Sequence, residues 1–197
     1  GDDDSAIARA VAASAPCPLL RVAIAVRITA VRLRWLPALT RALGGRSHGD
    51  WLPKASSFIS AHATKGRGRT AADELSLAGD VRFLQLDVTR PAEIDAAVAR
   101  VDAESNRLDV LVNNAGILLE LDTPVTDVSG LQIRETYAVN LFGVIEVTHA
   151  FVPLLRRSAP SRIVNMSTPL GSLSLLSDAE KGFAQRAMLA YSTSKTA

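Results

Sequence analysis

The chain has 197 residues, 48% apolar and 21% charged, which is enough to bury one core and is ordinary for a globular protein. Its net charge of +2 is too small to argue for a nucleic-acid partner, and its single cysteine, Cys17, excludes an internal disulfide and fits a reducing compartment or chance. No uninterrupted apolar run reaches the roughly 18–20 residues that span a bilayer, and the start, Gly1 followed by Asp2-Asp3-Asp4, reads as processed, engineered or incomplete and not as a signal peptide.

Residues 1–69 carry eleven Lys/Arg and four acidic groups, and the apolar stretch Leu19 to Leu43 is broken by Arg21, Arg27, Arg32, Arg34 and Arg41. No helical period and no strand-turn-helix unit can be placed there. From Thr70 the pattern becomes regular. Thr70 to Asp73 has capping-box form and opens a short helix to Ala78, ended by Gly79-Asp80. Val81 to Leu86, rich in large apolar residues, predicts a strand. Pro91 marks a helix start, and Ile94, Ala97, Val98 and Val101 then recur on one helical face. Leu108 to Val112, with Asp109 its one charge, suits a strand buried on both faces of a parallel sheet. A long helix is predicted over Leu131 to Leu155, with Leu141, Val144, Ile145, Thr148 and Val152 along one face and Arg156 and Arg157 placed favourably for its dipole. Ile163 to Met166 is a further strand. This alternation predicts an α/β fold: a doubly wound parallel sheet in three α/β/α layers, with ligands expected at the carboxyl ends of the strands.

The residues suited to chemistry fall at those ends. Asp87-Val88 closes the strand Val81–Leu86, where a carboxylate can accept from an adenine amino group or simply cap a turn. Asn113-Asn114-Ala115-Gly116 ends the next: its small residues admit a ligand close to the backbone, and its amides can bridge strand ends. Ser167-Thr168-Pro169-Leu170-Gly171 offers hydroxyls that can polarise a carbonyl oxygen or bond their own backbone. Tyr191 and Lys195 lie four apart, on one face of a helix. A free phenol titrates near pH 10, and a neighbouring ammonium is expected to pull that value down into the range of a general acid/base. Asn140 stands mid-helix against its propensity, as an exposed residue or as the holder of a water or a helix distortion. His48, His62 and His149 show no metal-ligand spacing, and His149 reads as a helix-surface residue.

In this order and at these separations, Asp87, Asn114, Asn140, the Ser167-Thr168 pair and Tyr191/Lys195 resemble the motif positions of the short-chain dehydrogenase/reductase family. The resemblance covers roughly residues 58–197, and Val164 to Leu173 with Leu189 to Thr196 looks most like its carbonyl-reductase-like members. It implies a partial NAD(P)-binding Rossmann-type domain over 58–197, with 1–57 an unassigned Arg-rich segment. It further implies a hydride transfer between a nicotinamide cofactor and an alcohol or carbonyl. Tyr191 would pass the proton, Lys195 would lower the Tyr pKa and hold the nicotinamide ribose, and Asn140 would anchor a relay water. Thr168 and Ser167 would supply the carbonyl-binding hydroxyl. Asp87 and Val88 would touch the adenine, and Asn114, Ala115 and Gly116 the adenosine-side ribose region.

Four departures from the family accompany it. Thr168 stands where the family has serine, with Ser167 just before it. Thr168 and Tyr191 lie 23 positions apart, so Ser172 to Leu189 reads as an inserted loop or helix near the substrate. The phosphate-binding Thr-Gly-x-x-x-Gly-Ile-Gly turn is missing; the nearest text, Gly45-Arg46-Ser47-His48-Gly49 with Asp50-Trp51, lies too close to the candidate second strand Phe58–Ala61 to leave room for a helix. The family's next helix and last strands would follow Ala197. Residues 1–57 are accordingly expected to be a mistranslated or mis-spliced first β-α unit. A transit peptide over residues 5–48 is the rival, and a basic membrane-surface helix the weaker third reading.

After the second strand, His62 to Arg67 lacks an acid for ribose hydroxyls and carries Lys65 and Arg67, which leans to NADP over NAD. The expected partner is a small carbonyl or alcohol, without nucleic acid, membrane or metal, in a chain that is cytoplasmic or, with a transit peptide, in an organelle, and that the family likeness makes a candidate homo-oligomer. The alternative is a non-enzymatic binding protein or an inactive remnant that keeps the sheet without the chemistry.

Overall fold

Arg21 and Arg27 bracket a run of alternating Val, Ala and Ile, and in the computed structural model that run is the strand β1, Val22–Arg27. The model describes residues 22–27, 57–63, 81–121, 123–158, 160–178 and 188–197. β1 pairs in parallel with β2 (Ser57–His62) on one side and with β4 (Val110–Asn113) on the other. β3 (Val81–Gln85) extends the sheet beyond β2, and β5 (Arg162–Asn165) extends it beyond β4, giving the order β3-β2-β1-β4-β5. Ile24 stands opposite Ile59 and Leu111, and Leu111 opposite Ile163, so one apolar row crosses the middle of the sheet.

The sheet therefore begins upstream of residue 58, and its central strand comes from the segment the sequence left unassigned. Five apolar residues between Arg21 and Arg27 are too few to establish a period, yet a short continuous apolar run is compatible with a strand inside a parallel sheet. The Gly45–Trp51 stretch, the helix expected over Thr70 to Ala78, and Lys65 and Arg67 all lie outside the described residues.

Helix α1 (Pro91–Ser105) starts with Pro91 in its first turn and buries Ile94, Ala97 and Val101. Asn106 closes it in the left-handed region at φ 53°, a conformation asparagine tolerates, and its N–H bonds Asp102 O. A longer helical run follows β4: α2 (Gly130–Tyr137), a π-helical turn (Ala138–Phe142), then α3 (Gly143–Arg156). Ser129 and Gln132 form a capping box at its start. By length and composition alone the run Gly130–Arg156 could cross a bilayer. Here Val139, Val147, Phe151, Leu154 and Leu155 join Leu84, Leu86, Leu108 and Leu111 in the core.

The predicted face of this helix needs correcting. The buried residues are Asn140, Gly143, Val147, Phe151, Leu154 and Leu155, while Ile145 is 52% exposed and Leu141, Val144, Thr148 and Val152 lie on the flank. Apolar residues almost surround the helix, so period alone could not choose the face, and the π turn inserts an extra residue that shifts the phase. His149 is exposed, as expected.

Candidate active site

At the carboxyl end of β4, Asn113 is buried and its Nδ2 donates to Asn165 Oδ1 of β5 at 2.8 Å and to Thr148 Oγ1 of α3 at 2.9 Å. This amide bridges two strand ends to a helix and holds the edge on which the site is built. Asn114, Ala115 and Gly116 follow; Ala115 is buried, and a Cβ on Gly116 would stand 3.5 Å from Asn140 Oδ1 and 3.7 Å from Lys195 Nζ.

Asn140 is buried, which excludes the exposed alternative. Its amide makes both possible bonds with one backbone residue: Ile117 N donates to Oδ1 at 2.8 Å, and Nδ2 donates to Ile117 O at 3.0 Å. Nδ2 also donates to Ser194 Oγ at 3.0 Å. Asn140 sits within the π turn, where the backbone pattern opens and Gly143 N reaches Ala138 O. The residue thus ties the loop after β4 to the helix α5 (Leu189–Thr196), and a helix distortion, one of the expected roles, accompanies it.

Tyr191 and Lys195 lie one turn apart on α5. This helix is clamped onto the loop after β5 at both ends of that loop. Lys195 Nζ donates to Met166 O at 3.2 Å, just before Ser167. Thr196 Oγ1 donates to Gly171 O at 3.0 Å, and a Cβ on Gly171 would stand 2.6 Å from Lys195 O, so only glycine permits this approach. Ser167 and Thr168 are held between the two clamps. Ser167 is exposed; Thr168 is half-buried, and its Oγ1 accepts from Leu170 N at 3.4 Å, capping a short 3-10 turn over Pro169–Gly171. The hydroxyl therefore has the local role allowed for it and keeps its proton for another acceptor. The helix α4 (Leu173–Leu176), capped by Ser172, occupies the start of the expected insertion.

The electrostatics differ from expectation. Burial raises the Tyr191 phenol above its ordinary value and lowers the Lys195 ammonium below its own. The expected lowering of the phenol by its neighbour does not arise in the chain alone. Desolvation disfavours both charged forms, and the ammonium is bonded to a backbone carbonyl.

At the edge of β3, Asp87 is half-buried and its Oδ1 accepts from Thr89 N at 3.0 Å and Thr89 Oγ1 at 2.7 Å. Val88 is 3% exposed, with its side chain in the core. The turn reading of Asp87 is thus present, and a ligand at Val88 would meet backbone, not side chain.

One residue of the site had no sequence signal. Glu120, 2% exposed on the loop after β4, accepts from Ala190 N at 3.0 Å and from Tyr191 N at 2.6 Å. A lone glutamate in a loop looks solvent-facing; only its burial and its distance of seventy residues from the helix it caps give it meaning.

A family model described as short chain dehydrogenase matches residues 54–197. A short-chain dehydrogenase/reductase of Aspergillus fumigatus is 40% identical over 116 residues, 57% of this chain and 40% of that protein. Estradiol 17-beta-dehydrogenase 2 of Mus musculus is 38% identical over 113 residues, 56% of this chain and 29% of its own length. The chain thus spans well under half of these relatives. Among solved structures, a short chain dehydrogenase from Mycobacterium smegmatis superposes with a TM-score of 0.68 at 24% identity, covering 93% of this chain and 68% of that one. An NADPH-bound carbonyl reductase from chicken fatty liver also gives 0.68, at 23% identity, with 90% and 69% covered. These likenesses establish the Rossmann-type fold, and with the match across residues 54–197 the chain belongs to the short-chain dehydrogenase family.

Proposed function

We propose that this chain carries the proton-transfer side of a nicotinamide-dependent alcohol/carbonyl oxidoreductase site. The observation that carries the proposal is the double clamp of α5 on the loop Met166–Gly171, which brings the Lys195–Thr196 end of the helix that bears Tyr191 against the loop that bears Ser167 and Thr168. In reduction Tyr191 donates its proton to the carbonyl oxygen, and in oxidation it takes that proton back. A phenol raised by burial is protonated at neutral pH, which is the donor state. Thr168, assisted by Ser167, donates a hydrogen bond to the same oxygen and stabilises the charge that grows there. Lys195 holds a ribose hydroxyl and favours the phenolate when Tyr191 has given up its proton. Asn140 locks α5 to the loop after β4 and, by the family likeness, would anchor a water of the proton relay.

The carboxyl end of β4 fits a cofactor: Gly116 puts no side chain beside Asn140 and the lysine amine. When bound, that cofactor supplies or accepts the hydride. Asp87, Val88, Asn114, Ala115 and Gly116 are the residues for its adenosine side. The pyrophosphate end departs from the family pattern, since no glycine occurs from Ile28, directly after β1, to Leu43. That observation favours the second reading, a family remnant that keeps the sheet and not the turnover. NADP is preferred over NAD because Lys65 and Arg67 follow β2, and the chicken fatty liver reductase holds NADPH.

Titration of the full chain with NADPH, followed by nicotinamide fluorescence, and NADPH oxidation with a panel of small ketones and aldehydes test the proposal. Saturable binding with turnover is expected. A chain that binds neither NADPH nor NADH is the remnant.

A further inference from the structure

The first N–H groups of a helix have no partner inside it, and a side chain at the N-cap usually accepts from one of them. At the start of α5 the N-cap is Met188, which makes no such bond. Glu120 does so from a different part of the chain. Its Oε2 accepts from Ala190 N and its Oε1 from Tyr191 N, so one carboxylate takes two first-turn N–H groups, at the helix end where negative charge is favoured. The glutamate is itself held in place. Thr123 N donates to Glu120 O at 3.1 Å, and Gln132 Nε2, from the capping box of α2, donates to Leu119 O at 3.2 Å.

We infer that Glu120 is a positioning residue for Tyr191: the buried carboxylate grips the backbone N–H of the tyrosine itself and thereby sets where its phenol stands. A chain of bonds runs from the start of α2, through Leu119 and Glu120, to the first turn of α5. Asn140 and Ser194 secure the same helix one turn later. The consequence for turnover rests on the oxidoreductase reading; the grip on the phenol does not.

The test uses both consequences. Tyr137 and Tyr191 are the two tyrosines of the chain, so Tyr137→Phe leaves Tyr191 as the single titrating phenol. Its ionisation is then followed by ultraviolet difference absorbance, with and without Glu120→Gln. The amide of glutamine retains one acceptor and turns an N–H group toward a helix N–H, loosening the first turn. The expected result is a titration displaced from its raised position toward the ordinary value near 10. In turnover, kcat should fall about 10- to 100-fold with little change in KM, as misplacement of a reacting group does. An identical titration in the two proteins overturns the inference, and so does a fall in kcat that merely follows the loss of folded protein. If the Glu120→Gln protein does not fold, hydrogen exchange on the unmutated chain decides. First-turn amides normally exchange fast; slow exchange at Ala190 and Tyr191 supports the grip, and fast exchange overturns it. Absence of turnover in the unmutated chain overturns the oxidoreductase reading, while the titration still decides the role of Glu120.

Discussion

Around the amino ends of β4 and β5, buried or half-buried acids meet arginines. Asp109, 2% exposed, meets Arg107 Nη2 at 2.5 Å; Arg107 Nε reaches Ser158 Oγ at 3.0 Å, and Arg157 joins Asp102 and Asn106. At the carboxyl ends of the same strands, the groups are amides and hydroxyls bonded to one another. The buried carboxylate there, Glu120, is answered by backbone N–H groups, and Lys195 by a backbone carbonyl. Each end buries a carboxylate, and the difference lies in what satisfies it. An arginine neutralises the charge and locks two segments. A helix N-terminus takes the charge through its N–H groups, and further along that helix burial holds the Lys195 ammonium below its ordinary pKa. An edge that only has to hold can neutralise its charges; the carboxyl edge, on the proposed reading, moves a proton and needs a group whose titration is shifted.

The sharpest way to break this comparison is Tyr191→Phe. It removes one hydroxyl from the carboxyl edge and should lower kcat/KM about 100- to 10,000-fold, the usual contribution of a general acid, with an unchanged thermal midpoint. The opposite edge should give the opposite result. Arg107→Ala should cost about 2–3 kcal/mol in denaturant unfolding, below the 3–5 of a fully buried pair because the arginine side chain is 32% exposed, with kcat per folded molecule unchanged. A smaller effect is expected between the edges. A Cβ at Gly143 would stand 2.5 Å from Val88 Cγ2, so Gly143→Ala should overpack α3 against the end of β3 by about 1–3 kcal/mol, read as a lower urea midpoint.

The smallest effect tests the desolvated lysine. Because burial lowers the folded-state pKa of Lys195, the fold favours the neutral amine. Below that lowered value both states carry the charge, and the folded state bears the whole cost of burying it. As pH rises from the lowered value toward 10.5 the cost disappears, so stability should climb through this window. Lys195→Met removes the climb and should make the chain slightly more stable than the unmutated protein at neutral pH, the gap closing as pH rises. Tyr191 acts in the other direction above pH 10, since the unfolded phenol ionises first; the comparison is therefore made below that pH.

Much of this molecule was legible as sequence. Strands form at the predicted apolar runs, from Val81 as expected, from Val110 inside the run that opens at Leu108, and from Arg162 just before the run that opens at Ile163, and Pro91 begins a helix where its fixed φ and missing N–H allow one. Tyr191 and Lys195 share a helix face because four residues make about one turn. Asn113 bridges strand ends, as the Asn amides at that position allow. These are local or periodic properties, carried by spacing along the chain.

What tertiary structure alone decided is of another kind. The six residues of β1 are too few to establish a period, and their place at the centre of the sheet comes from the strands on either side of them. The buried face of α3 was hidden because apolar residues surround it and a π turn shifts its phase. The pKa directions at Tyr191 and Lys195 follow from burial, which spacing cannot report, and they reversed the expectation for the phenol. Glu120 was invisible because its two partners lie seventy residues away. Residue type and period determine which elements form, since those depend on neighbours along the chain; desolvation and long-range hydrogen bonds depend on neighbours in space, and only the packed fold supplies them.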